Sequence, residues 1–111
     1  MHMTEMLISA NLRVDEAKIV GYLLSRSNSH GKAVFFLGFG FLPEAWESMA
    51  NALKQHARAH PISAAVDSPY GTRYSVDGEL ATPSGRRPIV RTVWIREADS
   101  DELRLITAHP L

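Results

Sequence analysis

The sequence predicts an α+β fold, with two N-terminal helices packed on one face of a four-stranded antiparallel sheet. Two observations lead there. Apolar residues recur at helical spacing up to Ala59 and at alternate positions beyond Pro61, so the period switches from 3.6 to two at that proline. The segments after Pro61 are joined by short polar turns, which make neighbours in sequence neighbours in the sheet. The 111 residues are enough for one domain with one core, spanning 1–111.

Asp15 can cap a first helix, expected near 15–25, whose apolar stripe is Ile19, Val20, Leu23 and Leu24, with Tyr22 at its edge. The run AVFFLGFGF puts four Phe into seven positions, 35–41; it reads equally as a buried strand or a short buried helix turn. Pro43 suits the first turn of a second helix, near 43–59, with Trp46, Met49, Ala50, Leu53 and Ala57 on one face. Strands are expected near 62–67, 71–80, 88–96 and 103–109. In 71–80, Tyr74, Val76 and Leu80 alternate with Arg73, Ser75, Asp77 and Glu79. Thr82-Pro83-Ser84-Gly85 is turn chemistry. The segment 88–96 is apolar on both faces apart from Arg91 and the tip, which places it centrally. The expected core is Ile19, Leu23, Phe35, Trp46, Met49, Leu53, Val76, Val93 and Ile106. Residues 1–6 are expected to be disordered or an expression remnant.

Lys plus Arg equals Asp plus Glu at 12 each, so no global field argues for nucleic acid or a membrane. The distribution is uneven. Arg86, Arg87, Arg91 and Arg96 share an acid-free span, and Glu97, Asp99, Asp101 and Glu102 follow at once. The absence of Cys removes a disulfide framework or thiolate metal site and fits a reducing compartment. Met1 to Ala10 lacks a signal-peptide pattern, and no apolar run approaches a membrane span; a cytoplasmic location is expected.

Chemistry-bearing motifs are sparse. His56 and His60 share a helix face at i, i+4, but no third ligand or HExxH accompanies them. A solvated helix end accounts for them, and no metal or cofactor is expected. Arg91 and Arg104 lie within apolar strands. An unpaired buried charge is costly, so each must meet solvent, a carboxylate or an anionic ligand. One reading pairs them with Asp77, Glu79 or a loop acid. The other makes an open sheet face that offers cations to a phosphate.

GKAVFFLGFGF, SPYGTRYSVDGEL, TPSGRRPIVRTVWIR and LRLITAHP together resemble a set of small, uncharacterised bacterial domains, over about residues 14–110. That pattern in turn resembles the barnase/EndoU/colicin/RelE group of ribonuclease toxins. This resemblance implies helices on an antiparallel sheet and metal-independent RNA cleavage on the open face. The matching positions are Lys32, Tyr70, Arg73, Tyr74, Arg91, Trp94, Arg104 and Thr107. Two positions depart from the pattern: Val34 replaces a basic residue, and His109 replaces a Tyr.

Two functions follow. In the first, the domain is a ribonuclease toxin with a cognate antitoxin encoded next door. Arg91 and Arg104 hold phosphate, Lys32 or His109 moves a proton, and Tyr74 and Thr107 orient the RNA. His30, Tyr70, Arg73 and Trp94 make further substrate contacts. In the second, the domain is a non-catalytic binding module such as an antitoxin or immunity partner, which the neutral net charge favours.

Overall fold

The computed structural model describes residues 6–111; the expectation for residues 1–5 lies outside them. The fold is α+β, with a five-stranded mixed sheet and three helices rather than four antiparallel strands and two helices. The strands are β1 (Asn11–Arg13), β2 (Ile62–Ser68), β3 (Gly71–Glu79), β4 (Ile89–Arg96) and β5 (Glu102–Pro110), in the order β1-β5-β4-β3-β2. β2 to β5 form the expected antiparallel meander. The added strand, β1, pairs in parallel with the start of β5, Leu12 opposite Leu103. Three residues are too few to show a two-residue period, so this strand left no signature in the sequence. Its approach is held by the longest helix, α3 (Trp46–Ala59), where Arg58 Nη1 donates to the carbonyls of Ile8 and Ala10 at 3.2 and 2.8 Å.

The first helix is shorter than expected. A single α-turn, α1 (Glu16–Lys18), runs into a π-turn at Ile19–Leu23. Asp15 does not cap it with its side chain, because its carboxylate accepts from Arg13 Nε at 2.7 Å. The aromatic run is helical: α2 spans Lys32–Gly38. The Ser29 hydroxyl accepts the Ala33 N–H at its start (2.9 Å). At its end Gly40 takes φ 100°, and the N–H groups of Gly40 and Phe41 return to the carbonyls of Leu37 and Phe36. That is a Schellman stop, and the Phe36–Phe41 ring contact (6.4 Å between centroids) closes it. Gly40, between Phe39 and Phe41, therefore serves helix termination. α3 (Trp46–Ala59) follows a 3-10 turn at Pro43–Ala45.

All three helices cover one sheet face. Val76, Leu80, Val90, Trp94, Leu105 and Ala108 point into that side and are buried against Ile19, Leu23, Phe36, Phe41, Met49 and Leu53. The opposite face is open. Val93 and Ile106, expected in the core, lie on it half-buried, while Phe35 and Trp46 are half-buried at the edge of the helical layer. Strand β4 is apolar on both sides, but only one side is covered. A bulge sets the phase of β5. Val93 pairs with Thr107 but Trp94 with Leu105, so Ile106 is an extra residue.

At the centre, α3 is tied to the sheet by His56, which is buried. Its Nε2 lies 3.1 Å from both the Gly78 and Val90 carbonyls. Carbonyls only accept, so Nε2 carries the proton and Nδ1 accepts from the Thr92 hydroxyl (3.1 Å). Thr92 Oγ1 in turn accepts from Trp94 Nε1 at 2.9 Å. His56 is thus a neutral core histidine, not part of a solvated helix end. Burial, and secondarily the charge of His60, holds its pKa below the ordinary 6.5, against the pull of the two carbonyls and Asp77.

With a depressed folded pKa, the unfolded chain binds more protons than the native one at pH values between the folded value and 6.5. This contribution to stability is full above about 6.5 and declines as pH falls through that window. His56→Ala should cost roughly 1–3 kcal/mol, the usual penalty for stranding buried polar partners. Urea unfolding at neutral pH checks that loss, and the same series at lower pH should show a shallower acid decline in the variant than in the parent.

Candidate functional site

The open face can be read in rows, because residues directly opposite on neighbouring strands point the same way. From one end the rows are Arg73–Ile95–Arg104, then Ser75–Val93–Thr107, then Asp77–Arg91–His109 across β3, β4 and β5. Five expected site residues therefore share this face. Tyr70, on the β2–β3 turn, joins Arg73, Ile95, Glu97, Arg104 and Ile106 around a shallow hollow.

Two expected phosphate clamps are already paired. Arg91 makes a bidentate ion pair with Asp77, Nε–Oδ1 2.7 Å and Nη2–Oδ2 2.8 Å. The Arg91 guanidinium holds the Asp77 carboxyl below its ordinary value. Arg104 Nε and Nη2 both reach Glu97 Oε1 at 3.2 Å. The first pair is close and forked, so Arg91 is a committed cation. The second is exposed and longer, and such pairs contribute little. The reading that paired these arginines with strand or loop acids thus describes the ground state.

Lys32 approaches from a different direction. β1 covers only the first residues of β5, which leaves the later part of that edge bare. There the π-turn brings Tyr22 to Thr107, with 3.3 Å between Oη and Oγ1. Lys18 and Lys32 place their ammonium groups 5.1 and 5.6 Å from the Tyr22 ring centroid, within range of cation–π attraction. The Thr107 hydrogen bond first, and then the contact and charge of Lys32 and the charge of Lys18, lower the Tyr22 pKa from 10.0 despite opposing desolvation. A phenol that ionises more readily, with two ammonium groups near its ring and a hydroxyl beside it, is equipped to move a proton near an anion. Single π-turns recur at functional sites.

Tyr22 was not singled out from sequence, where it marked only the edge of an apolar stripe. The Lys18–Tyr22 spacing of four was the available signal. His109, two residues beyond Thr107, donates Nδ1–H to the Pro110 carbonyl at 3.1 Å, which leaves Nε2 as its acceptor.

Three expected contacts lie elsewhere. Trp94 is fully buried with its N–H spent on Thr92, so it is a core residue rather than a substrate contact. Tyr74 faces the helical side and packs against the core, so it orients nothing on the open face. His30 is exposed in the turn before α2 with φ 52°. Among the described residues, no group of three or more His, Asp or Glu is placed to hold a metal, and no helix is long and apolar enough to cross a membrane.

Residues 8–111 match the family described as Domain of unknown function (DUF6883). The chain belongs to that family. No curated protein matches it. Among solved structures, the fold is similar to that of one chain in the "Contact-dependent growth inhibition toxin - immunity protein complex from Klebsiella pneumoniae 342", with TM-score 0.67 and 20% identity over 88% of this chain and 98% of that one. At that identity the likeness is one of fold.

The Tyr22 assignment is open to direct measurement. Ultraviolet titration of the parent minus Tyr22→Phe should isolate one phenol ionising below 10.0. Thr107→Val, which removes the largest cause, should move that step back upward. A Tyr22 step unmoved by Thr107→Val would break the proposed coupling.

Proposed function

We propose that this domain is a metal-independent ribonuclease of toxin type that cleaves RNA through its own 2′-hydroxyl. The observation that carries the reading is the Lys18–Tyr22–Lys32–Thr107 cluster at the bare edge of β5. The described toxin–immunity complex with the same fold supports a role on one side of such a pair.

In this mechanism the 2′-oxygen attacks the adjacent phosphorus and the 5′-oxygen leaves, giving a 2′,3′-cyclic phosphate and a 5′-hydroxyl end. Tyr22, whose ionisation is eased by Thr107 and the two lysines, acts as the phenolate and takes the 2′-hydroxyl proton. Lys32 stabilises the charge that develops on the phosphorane oxygens. His109, on the same face two residues from Thr107, is the second proton-transfer group: in its imidazolium form it keeps Nδ1–H on the Pro110 carbonyl and gives the Nε2 proton to the leaving oxygen. Arg104 and Arg73 hold neighbouring parts of the RNA, and Arg91 with Asp77 fixes the geometry of the sheet beneath.

A second reading is a non-catalytic partner module, an antitoxin or immunity protein. The neutral net charge and the paired state of Arg91 and Arg104 favour it. So does β2, an edge strand exposed at Ala64, Ala65 and Val66 and open to pairing with another protein's strand.

Incubating the protein with labelled RNA and matching DNA, with and without EDTA, separates the readings. The nuclease should cut RNA in excess chelator and spare DNA, which lacks the 2′-hydroxyl. Tyr22→Phe should lose about 10²–10⁴-fold in rate, the usual worth of a proton-transfer group, and Lys32→Ala about 10²–10³-fold, the usual worth of a charge-stabilising group, each keeping the parent's circular dichroism. Cleavage that requires magnesium or cuts both polymers rejects the mechanism. No cleavage, with a tight complex to the product of the adjacent gene, favours the partner module.

A further inference from the structure

The hollow at the Tyr70 end of the open face encloses about 320 Å³. Ile95 and Ile106 make it partly apolar, and its polar groups are Arg73, Arg104 and Glu97. Tyr70 is 75% exposed, far more than an aromatic needs for packing. It is nevertheless held in place. Its N–H donates to Ser68 Oγ at 3.2 Å, and that hydroxyl donates to the Gly71 carbonyl at 2.7 Å. Gly71 takes φ 129°, and a Cβ there would run into the Arg96 carbonyl. The turn is therefore seated directly on the end of β4, and only glycine permits that approach. An exposed aromatic on a pinned turn is a stacking platform.

The polar groups have a matching asymmetry. Both Arg104 contacts use one Glu97 oxygen, Oε1, and Oε2 accepts no hydrogen bond among the described residues. Arg73 likewise makes no ion pair among them. The hollow thus offers guanidinium donors beside a carboxylate acceptor, above an apolar floor. Guanine presents two adjacent acceptors, O6 and N7, and two adjacent donors, N1–H and the N2 amino group; guanidinium groups match the first pair and a carboxylate the second. Adenine, cytosine and uracil each lack one of these adjacent pairs.

We infer that this hollow is the binding site for an unpaired guanine base, stacked on Tyr70 and read by Arg73, Arg104 and Glu97. Its place in an RNA substrate rests on the nuclease reading above; its affinity for the base does not. The hollow's Arg73–Ile95–Arg104 row is adjacent to the row that carries Thr107, roughly 7 Å away by the rise of two strand residues. That spacing suits a base next to the scissile phosphate in an extended single strand.

The test uses the four ribonucleoside 5′-monophosphates as probes, titrated into the ¹⁵N-labelled protein. Guanosine monophosphate should shift the Nε–Hε signals of Arg73 and Arg104 and the Tyr70 amide, with the other three weaker by at least about 5-fold. Glu97→Gln should reduce the guanine preference roughly 5- to 100-fold, and Tyr70→Ala should weaken all four. Equal binding of the four, shifts confined to Lys32 and Thr107, or no shift with any of them overturns the site. The same preparations are then tested on RNA. Guanine-selective shifts without cleavage leave the base site standing and sink the nuclease reading. Cleavage with no guanine preference at either nucleotide flanking the cut sinks the hollow's place beside the scissile phosphate and leaves the nuclease reading intact.

Discussion

At the centre of the covered face, the helical layer meets the sheet through a neutral imidazole. His56 projects from α3 into the covered face, gives its one proton to two strand carbonyls and receives one from Thr92, whose oxygen is also bound by the indole of Trp94. Every side-chain polar atom in this hydrogen-bonded network has a partner, and the described residues contain no buried side-chain polar atom left unpaired. Such a network, satisfied throughout, fixes one relative placement of helix and strands, where a purely apolar contact would tolerate several. The placement matters because the same β4 residues alternate between this network and the open face. Thr92 and Trp94 point in, while Arg91 and Val93 point out. Rigid anchoring on one side defines where the other side presents its rows.

The open face and the bare edge divide the charge between them. On the face, Arg91 is neutralised by Asp77 directly opposite, and Arg104 is loosely met by Glu97. At the edge, Lys18 and Lys32 face a tyrosine ring rather than a carboxylate. A ring attracts a cation weakly and leaves most of its charge available. The balanced total of 12 basic and 12 acidic residues therefore conceals a local excess of positive charge at the edge of β5.

Much of the architecture was legible in the sequence. The alternation in β3 and the apolar stripe of α3 place those elements almost where they lie, because long periodic segments report burial directly. Three features were not legible, each for a physical reason. β1 is too short to show a period, and its partner lies about ninety positions away. The α2 run is crowded with aromatics, so periodicity could not choose between helix and strand; the Schellman stop at Gly40 is visible only in the structure. β4 is apolar on both faces, so alternation could not say which face is covered, and Trp94 and Val93 were each placed on the wrong side. For the site, Arg73, Arg91, Arg104, Thr107 and His109 do share one face. Tyr22 escaped notice because its importance arises from a contact across 85 positions with Thr107.

The bulge at Ile106 has a wider meaning. Along an uninterrupted strand that begins with Leu103 inward, residues 107 and 109 would also point inward and Ala108 outward. One inserted residue shifts the phase by half a pleat, turning Thr107 and His109 to the exterior and giving the small Ala108 to the core. The end of β5 thus has a parity, and a single-residue deletion there would exchange its inner and outer surfaces. Substitutions along this strand alter side chains one at a time, whereas a change in its length by one alters them all together. The side chains that the β5 edge presents therefore depend on the residue count between Leu105 and Thr107.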